Sequence, residues 1–277
     1  MPIDLPQMAA FPAIDELFES AGPKACCAAV YEHPAVRWLL GGELHPGGEE
    51  TTLRALELAG VRAEDRLLDV ASGSGASALL AAERLGCEVV GIEYGSEAVR
   101  AASAEAEARG LADRVKFVQG DAEWLPFAEA EFDAVLCECS LCIFPAKQVA
   151  VAEMRRVLRD DGRLALADVI ADHDRLPDAL AGPLALIACV GDALPATGYE
   201  SLLKGAGFRV TAVEPRLADA GRMAERVRDR LRGARLVGLD RLEGSPIDTA
   251  GAIELAGLAR EAIDAGALGY VIFAARA

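Results

Sequence analysis

No run of about 18 or more apolar residues occurs in this 277-residue chain, which excludes a membrane-spanning helix. Basic residues are scarce. Only 28 Lys and Arg stand against 44 Asp and Glu, and the net charge of −16 argues against nucleic acid or an anionic membrane as partner, since both are polyanions. The N-terminal stretch carries Asp4, Asp15, Glu16 and Glu19 and lacks a basic start followed by an apolar core, so it does not read as a signal peptide. Internal repeats and long low-complexity linkers are missing as well. Histidine is rare, and His33, His45 and His173 form no catalytic pattern; each reads as a surface or loop residue. The seven cysteines are odd in number and mostly clustered, which is not a disulfide framework. Without an export signal they are expected to be reduced, and the expected location is the cytoplasm. Apolar residues are plentiful at 52%, which excludes disorder, and the length suffices for one large α/β domain with a full core.

From residue 66 onward, strand and helix patterns alternate. Strands are expected at 66–70, 88–93, 115–119, 132–137 and 163–169, with helices at 76–85, 96–109 and 146–158 between them. A short helix at 198–205 leads to a sixth strand at 208–215, and 269–275 reads as a seventh. Strands alternating with helices of about 10–15 residues predict a Rossmann-like, doubly wound, mostly parallel sheet. Residues 1–60 read as a helical N-terminal cap with a Gly/Pro break at 41–48, and 61–277 as the catalytic domain. Within that domain 219–265 is a helical insertion before the last strand, whose arginine-rich stretch 222–235 reads as a solvated face.

The stretch Leu67-Leu68-Asp69-Val70-Ala71-Ser72-Gly73-Ser74-Gly75 runs from an apolar strand into a serine/glycine loop at an aspartate. Gly73 and Gly75 lack a Cβ, so the backbone can turn tightly and let a nucleotide-like ligand approach. Glu93 ends the second strand 18 residues past Gly75, where an acid can accept hydrogen bonds from both ribose hydroxyls. Gly120-Asp121-Ala122-Glu123-Trp124-Leu125-Pro126-Phe127 follows the third strand. An aspartate there can accept from an adenine amino group, with Ala122 and Trp124 as apolar contacts to the ring. A nicotinamide dinucleotide fold is the chief rival, because Gly73-x-Gly75-x-x-Ala78 nearly meets its Gly-x-Gly-x-x-Gly spacing. The Gly-Asp-Ala-Glu-x-Leu-Pro-Phe element decides between them.

Together these elements resemble the class I S-adenosylmethionine-dependent methyltransferases over residues 60–215 and the closing strand. The resemblance implies S-adenosyl-L-methionine as cofactor. It also implies that Asp69, Ser72, Gly73 and Gly75 contact the methionine part, that Glu93 and Tyr94 lie at the ribose, and that Asp121 and Ala122 hold the adenine. Glu138, after the fourth strand, completes the implied cofactor residues.

Directly after the fourth strand comes Cys137-Glu138-Cys139-Ser140-Leu141-Cys142, where ligands of doubly wound folds bind. Cysteines two apart on a strand face the same side. Within the methyltransferases, this layout resembles the arsenite methyltransferases, which carry a stretch shaped like Val-Ile-Ser-Asn-Cys-Val-x-Asn-Leu-x-Pro-Asp-Lys. Val135 to Lys147 fits it with Cys139 at the cysteine, and Cys189-Val190-Gly191-Asp192-Ala193-Leu194 matches that group's second cysteine stretch. The resemblance implies Cys139 and Cys189 as the catalytic thiols for trivalent arsenic. Cys26, Cys27, Cys137 and Cys142 are further candidates for substrate binding. The Gly41–Gly48 region lacks the cysteine the group often has there, and the group's cysteine-bearing C-terminal extension is not expected here. Trivalent arsenic is soft and thiophilic, so thiolates are its natural ligands, and its lone pair needs no general base.

The expected substrate is thus arsenite or methylarsenite, with a thiol reductant as partner and no resident metal. Three alternatives stay open. One is a methyltransferase for a quinone-type carbon, a small hydroxyl or selenium, with packing cysteines and Glu138 or Asp168 as base. Another is a non-catalytic thiol-based metalloid-binding protein. The last is a four-sulfur zinc site from Cys137, Cys139, Cys142 and Cys189, although zinc prefers Cys-x₂₋₄-Cys twice. Cys87, beside the second strand, reads as a buried small hydrophobe.

Overall fold

The computed structural model describes residues 14–41, 44–180, 189–236 and 249–277. Seven strands form one sheet: β1 (Arg66–Val70), β2 (Glu88–Glu93), β3 (Val115–Gln119), β4 (Phe132–Glu138), β5 (Leu158–Ala171), β6 (Arg209–Pro215) and β7 (Leu268–Arg276). Their order is β3-β2-β1-β4-β5-β7-β6, with β7 antiparallel to both neighbours and the other pairs parallel. The fold is the expected Rossmann-like α/β architecture. The chain reverses its direction of winding between β1 and β4, so the crevice beyond their carboxyl ends is the natural ligand position.

Strand alternation builds two apolar layers. Leu67, Val89, Leu136 and Ile272 face one side, with α3 (Gly48–Ala59), α4 (Ala76–Leu85) and α5 (Ser96–Ala108) packed on it. Leu68, Val70, Val135 and Phe273 face the other, covered by α6 (Lys147–Val157) and α7 (Ala196–Gly205). These strands are buried on both faces, which is why they read as near-continuous apolar runs. Two helices precede α3: α1 (Ile14–Glu32), kinked at Gly22, and α2 (Pro34–Leu40). In the stretch before β7 lie α8 (Leu217–Leu236) and α9 (Thr249–Asp264); the rest of that expected helical insertion, 237–248, falls outside the described residues. Arginines of α8 are partly tied down: Arg222 pairs with Asp219, and Arg230 donates to the Trp38 and Leu39 carbonyls. No helix among the described residues is long and apolar enough to cross a membrane.

β5 is longer than expected because Leu158 already pairs with Phe132. A register shift through Asp161 (φ 59°) then carries the chain to the main run from Arg163. Gly75 caps α4 in the left-handed region at φ 83°, and a Cβ there would collide with the Phe117 ring, which also fills the space beside Gly91. Gly75→Ala is therefore expected to destabilise the protein by about 2–4 kcal/mol, from left-handed strain plus overpacking. A urea midpoint equal to wild type would contradict this.

Candidate active site

A cavity of about 540 Å³ opens at the carboxyl ends of β1, β2, β3 and β4. Its wall includes Asp69 near the end of β1 with Ser72 and Gly73 beyond it, Glu93 ending β2 with Tyr94 beyond it, Asp121 and Ala122 after β3, and Glu138 ending β4 with Cys139 beyond it. Gly75 does not line it; its part is to turn the chain into α4. Trp124, expected as a ring contact, is 80% exposed and does not line the cavity. The tight bridge between Asp121 and Trp124 turns the indole outward.

Glu93 is held by two backbone donors, Gly73 N–H at 2.9 Å and Gly95 N–H at 2.8 Å. Burial pushes its carboxyl above the usual range; those N–H groups pull it back and nearby Glu32 pushes it further up. Asp69 is buried, and burial with repulsion from Glu138 and Glu93 raises its carboxyl well above normal. Its Oδ2 and the Ser72 Oγ are buried without a hydrogen-bond partner. A cation placed among these acids would lower all three energies at once. Asp121 accepts from Glu123 N–H at 2.9 Å and lies 2.7 Å from Lys24 Nζ, which also reaches Glu123 at 2.5 Å.

Glu138 accepts from Thr52 Oγ1 at 3.0 Å and Ser77 Oγ at 2.7 Å, with His45 Nε2 at 3.7 Å. His45 thus lies in the loop before α3, as expected, and that loop brings it to the cavity wall. Its other nitrogen lies 3.4 Å from the Pro46 carbonyl. Asp168, the other base considered, lies below the wall, accepting from Cys142 N–H at 2.9 Å and Val169 N–H at 2.8 Å. Burial pushes its carboxyl up to about 7.

Asp69, Glu93 and Asp168 all hold protons more tightly folded than unfolded, so their linkage destabilises the fold as pH rises. For Asp168 the window runs from the ordinary 3.8 to about 7, roughly 4 kcal/mol in all. The melting temperature of the ligand-free protein is expected to climb as pH is lowered from 8 to 5, the three acids outweighing the opposite contribution of the Cys189 thiol. A flat or falling profile would count against these buried acids.

On the α3 side of the sheet the thiols gather. Cys139 Sγ lies 3.8 Å from Cys189 Sγ, and Cys189 also reaches the Cys139 carbonyl at 3.6 Å and Tyr31 Oη at 3.2 Å. Cys142 hydrogen-bonds into the same pair. Hydrogen bonds from the Cys139 and Cys142 thiols, opposed by burial and aided by the Tyr31 hydroxyl, hold the Cys189 thiol well below its usual range. Both residues adopt left-handed backbone, φ 49° at Cys139 and 63° at Cys189. Cys27 lines the cavity, and burial with the charge of Cys189 pushes its thiol up to about 12.

Two expected substrate thiols are not brought to this place. Cys137 packs on the opposite face, its Sγ 3.1 Å from Ser140 Oγ, and burial raises its thiol. Strand alternation stops at Cys139, whose positive φ sends its side chain away from that of Cys137. Cys26 is fully buried and does not line the cavity, and burial raises its thiol. With Cys137 on the far face the four-sulfur zinc arrangement is not assembled, and among the described residues no group of three or more His, Cys, Asp or Glu is arranged to hold a metal ion. Cys87 is buried in the core as expected. Lys24, Tyr31, Thr52 and Ser77 carry no signal in the sequence, because each meets a partner more than 50 residues away and nothing in its spacing marks that partner.

Residues 68–166 match the family model of the methyltransferase domain. The chain is 30% identical over 241 residues to 27-O-demethylrifamycin SV methyltransferase of Amycolatopsis mediterranei, covering 82% of this chain and 84% of that one. It is 30% identical over 154 residues to the arsenite methyltransferase of Halobacterium salinarum, covering 55% and 39%. The matches span about half the length of several other curated relatives. Among solved structures, Haemonchus contortus phosphoethanolamine N-methyltransferase 2 with S-adenosyl-L-methionine superposes with a TM-score of 0.75 at 18% identity, over 96% of this chain and 60% of that one. With its seven-stranded sheet, its acid-lined crevice and these relatives, the chain belongs to the class I S-adenosylmethionine-dependent methyltransferases.

Proposed function

We propose that this enzyme methylates trivalent arsenic, as arsenite or methylarsenite, held by Cys139 and Cys189. The observation that carries the reading is the pair of sulfurs 3.8 Å apart, with Cys139 on the cavity wall. Two sulfurs sharing one thiophilic atom at ~2.3 Å each lie ~3.5–3.8 Å apart. Each thiol displaces one hydroxide of arsenite: a sulfur–arsenic bond forms, an arsenic–oxygen bond breaks, and the thiol proton leaves with the hydroxide as water. The arsenic lone pair stays free, so no base is required.

S-Adenosylmethionine, when bound, supplies an electrophilic methyl group on a sulfonium. The residues fit it: Asp69 Oδ2 and Ser72 Oγ are buried and unpartnered, and Asp69, Glu93 and Glu138 offer negative charge to a cationic ligand. In this reading Asp69, Ser72, Gly73 and Glu138 hold the amino-acid end and Glu93 and Tyr94 lie at the ribose. Asp121 and Ala122 take the adenine, with Lys24 giving way at Asp121. The chain's own contribution is positioning, bringing nucleophile and methyl carbon to ~3–3.5 Å.

An organic acceptor would need a base on the wall. Of the two bases considered only Glu138 is there, already accepting from Thr52 and Ser77, and His45 beside it is the other wall residue that could take a proton, so the sulfur pair alone carries the thiol reading. The test is transfer from labelled S-adenosylmethionine, with glutathione present, to arsenite, methylarsenite and selenite. Labelled methylated arsenic is the expected product. Donor binding without it would return the cysteines to packing and the search to small organic acceptors.

A further inference from the structure

Lys147 is a buried cation in a place that opposes it. Its side chain is 7% exposed, and it opens α6, where the helix dipole is positive and repels a cation. An ammonium taken out of water is costly unless paired and hydrogen-bonded. Lys147 Nζ donates to the Phe144 carbonyl at 3.1 Å and pairs with Asp192.

Those two partners belong to the two thiol-bearing loops. Phe144 follows the 3₁₀ turn Leu141–Ile143, which begins two residues after Cys139, and Asp192 lies three residues past Cys189. The far end of the second loop is fixed by Ala171 N–H to the Leu194 carbonyl at 3.1 Å and by His173 against the Ala193 carbonyl at 2.8 Å. At the Cys189 end the thiol reaches Tyr31 and Cys139, and Val190 packs in the core. Between these ends Ala193 N–H reaches the Val190 carbonyl at 3.3 Å, and the Lys147–Asp192 pair adds the side-chain tie from this loop to the start of α6. Cys189 is held in left-handed backbone, which a residue with a Cβ leaves when its loop is free to relax.

We propose that Lys147, through Asp192, is the positioning residue that sets the Cys139–Cys189 spacing. Its consequence for turnover rests on the arsenic reading; its consequence for the thiols does not.

The test oxidises the full-length protein with diamide, which takes two electrons and two protons from the two thiols, joins their sulfurs and is itself reduced to the hydrazine. Cross-linked Cys139–Cys189 peptide, read by mass spectrometry, is expected to form in wild type. Lys147→Met should form it about tenfold more slowly, because the effective concentration of one thiol at the other falls. Asp192→Asn, altered at a half-exposed site, should slow it likewise and covers the case in which Lys147→Met fails to fold. Donor KM should stay within about twofold while kcat for arsenite drops, a split that general unfolding would not produce. Cross-linking of both variants at the wild-type rate, or none in wild type, overturns the proposal. Phenylarsine oxide separates the two readings, since it condenses with two thiols and releases one water. A wild type that cross-links but takes up no phenylarsine oxide overturns the arsenic reading and leaves the clamp in place.

Discussion

Cys139→Ser is expected to lower arsenite methylation by a factor of about 100 or more while donor affinity stays unchanged. One sulfur would then hold what two held, and the second bond's effective concentration is lost with it. The hydroxyl of serine is a hard ligand and does not replace a thiolate for a soft centre. Serine matches cysteine closely in size and can keep the left-handed backbone at φ 49°, so the loss would not come from unfolding. Methylated arsenic is measured by chromatography of labelled product, and donor binding by calorimetry on the same sample. Retained methylation in Cys139→Ser would sink the thiol mechanism outright.

Glu93→Ala is expected to weaken the donor by about 100-fold. The carboxylate holds the Gly73 and Gly95 N–H groups, so its loss frees the glycine loop as well as removing the proposed ribose acceptor. Hydrogen bonds to a charged group are worth about 1.5–3 kcal/mol each, and about 3 kcal/mol in total corresponds to a dissociation constant two decades higher. Glu93→Gln keeps one acceptor and should lie between the two. Donor titration that ranks all three proteins equal would remove Glu93 from the site. Glu93→Ala acts on donor affinity and Cys139→Ser on acceptor turnover, so the pair tests the two halves of the site separately.

The fold was legible because buried parallel strands write themselves as short apolar runs. β1, β2 and β3 fall at their expected bounds, and the glycine loop, Glu93 and Asp121 all meet at one cavity. The thiol pair was legible for a different reason: Cys139 and Cys189 sit in stretches with a recognisable shape. Cys137 misled because strict alternation was assumed to persist past the strand end, where a single positive φ reverses it. Trp124 misled because a motif position says nothing of which way a ring turns in a tight bridge. His45, Lys24, Tyr31 and Lys147 were silent. Each acts through a partner brought near by tertiary folding, and neither period nor spacing in one sequence encodes such a meeting.

The left-handed backbone at Cys139 and Cys189 sets stability and chemistry against each other. Glycine at either position relieves strain worth roughly 1 kcal/mol, which makes it an obvious gain for thermal robustness. It would also delete a sulfur from the pair. A library of variants ranked by melting temperature alone would therefore drift toward glycine at both sites and discard the dithiol as it improved. If the dithiol holds the acceptor as proposed, the strain at these two positions is a cost that function, and not robustness, accounts for.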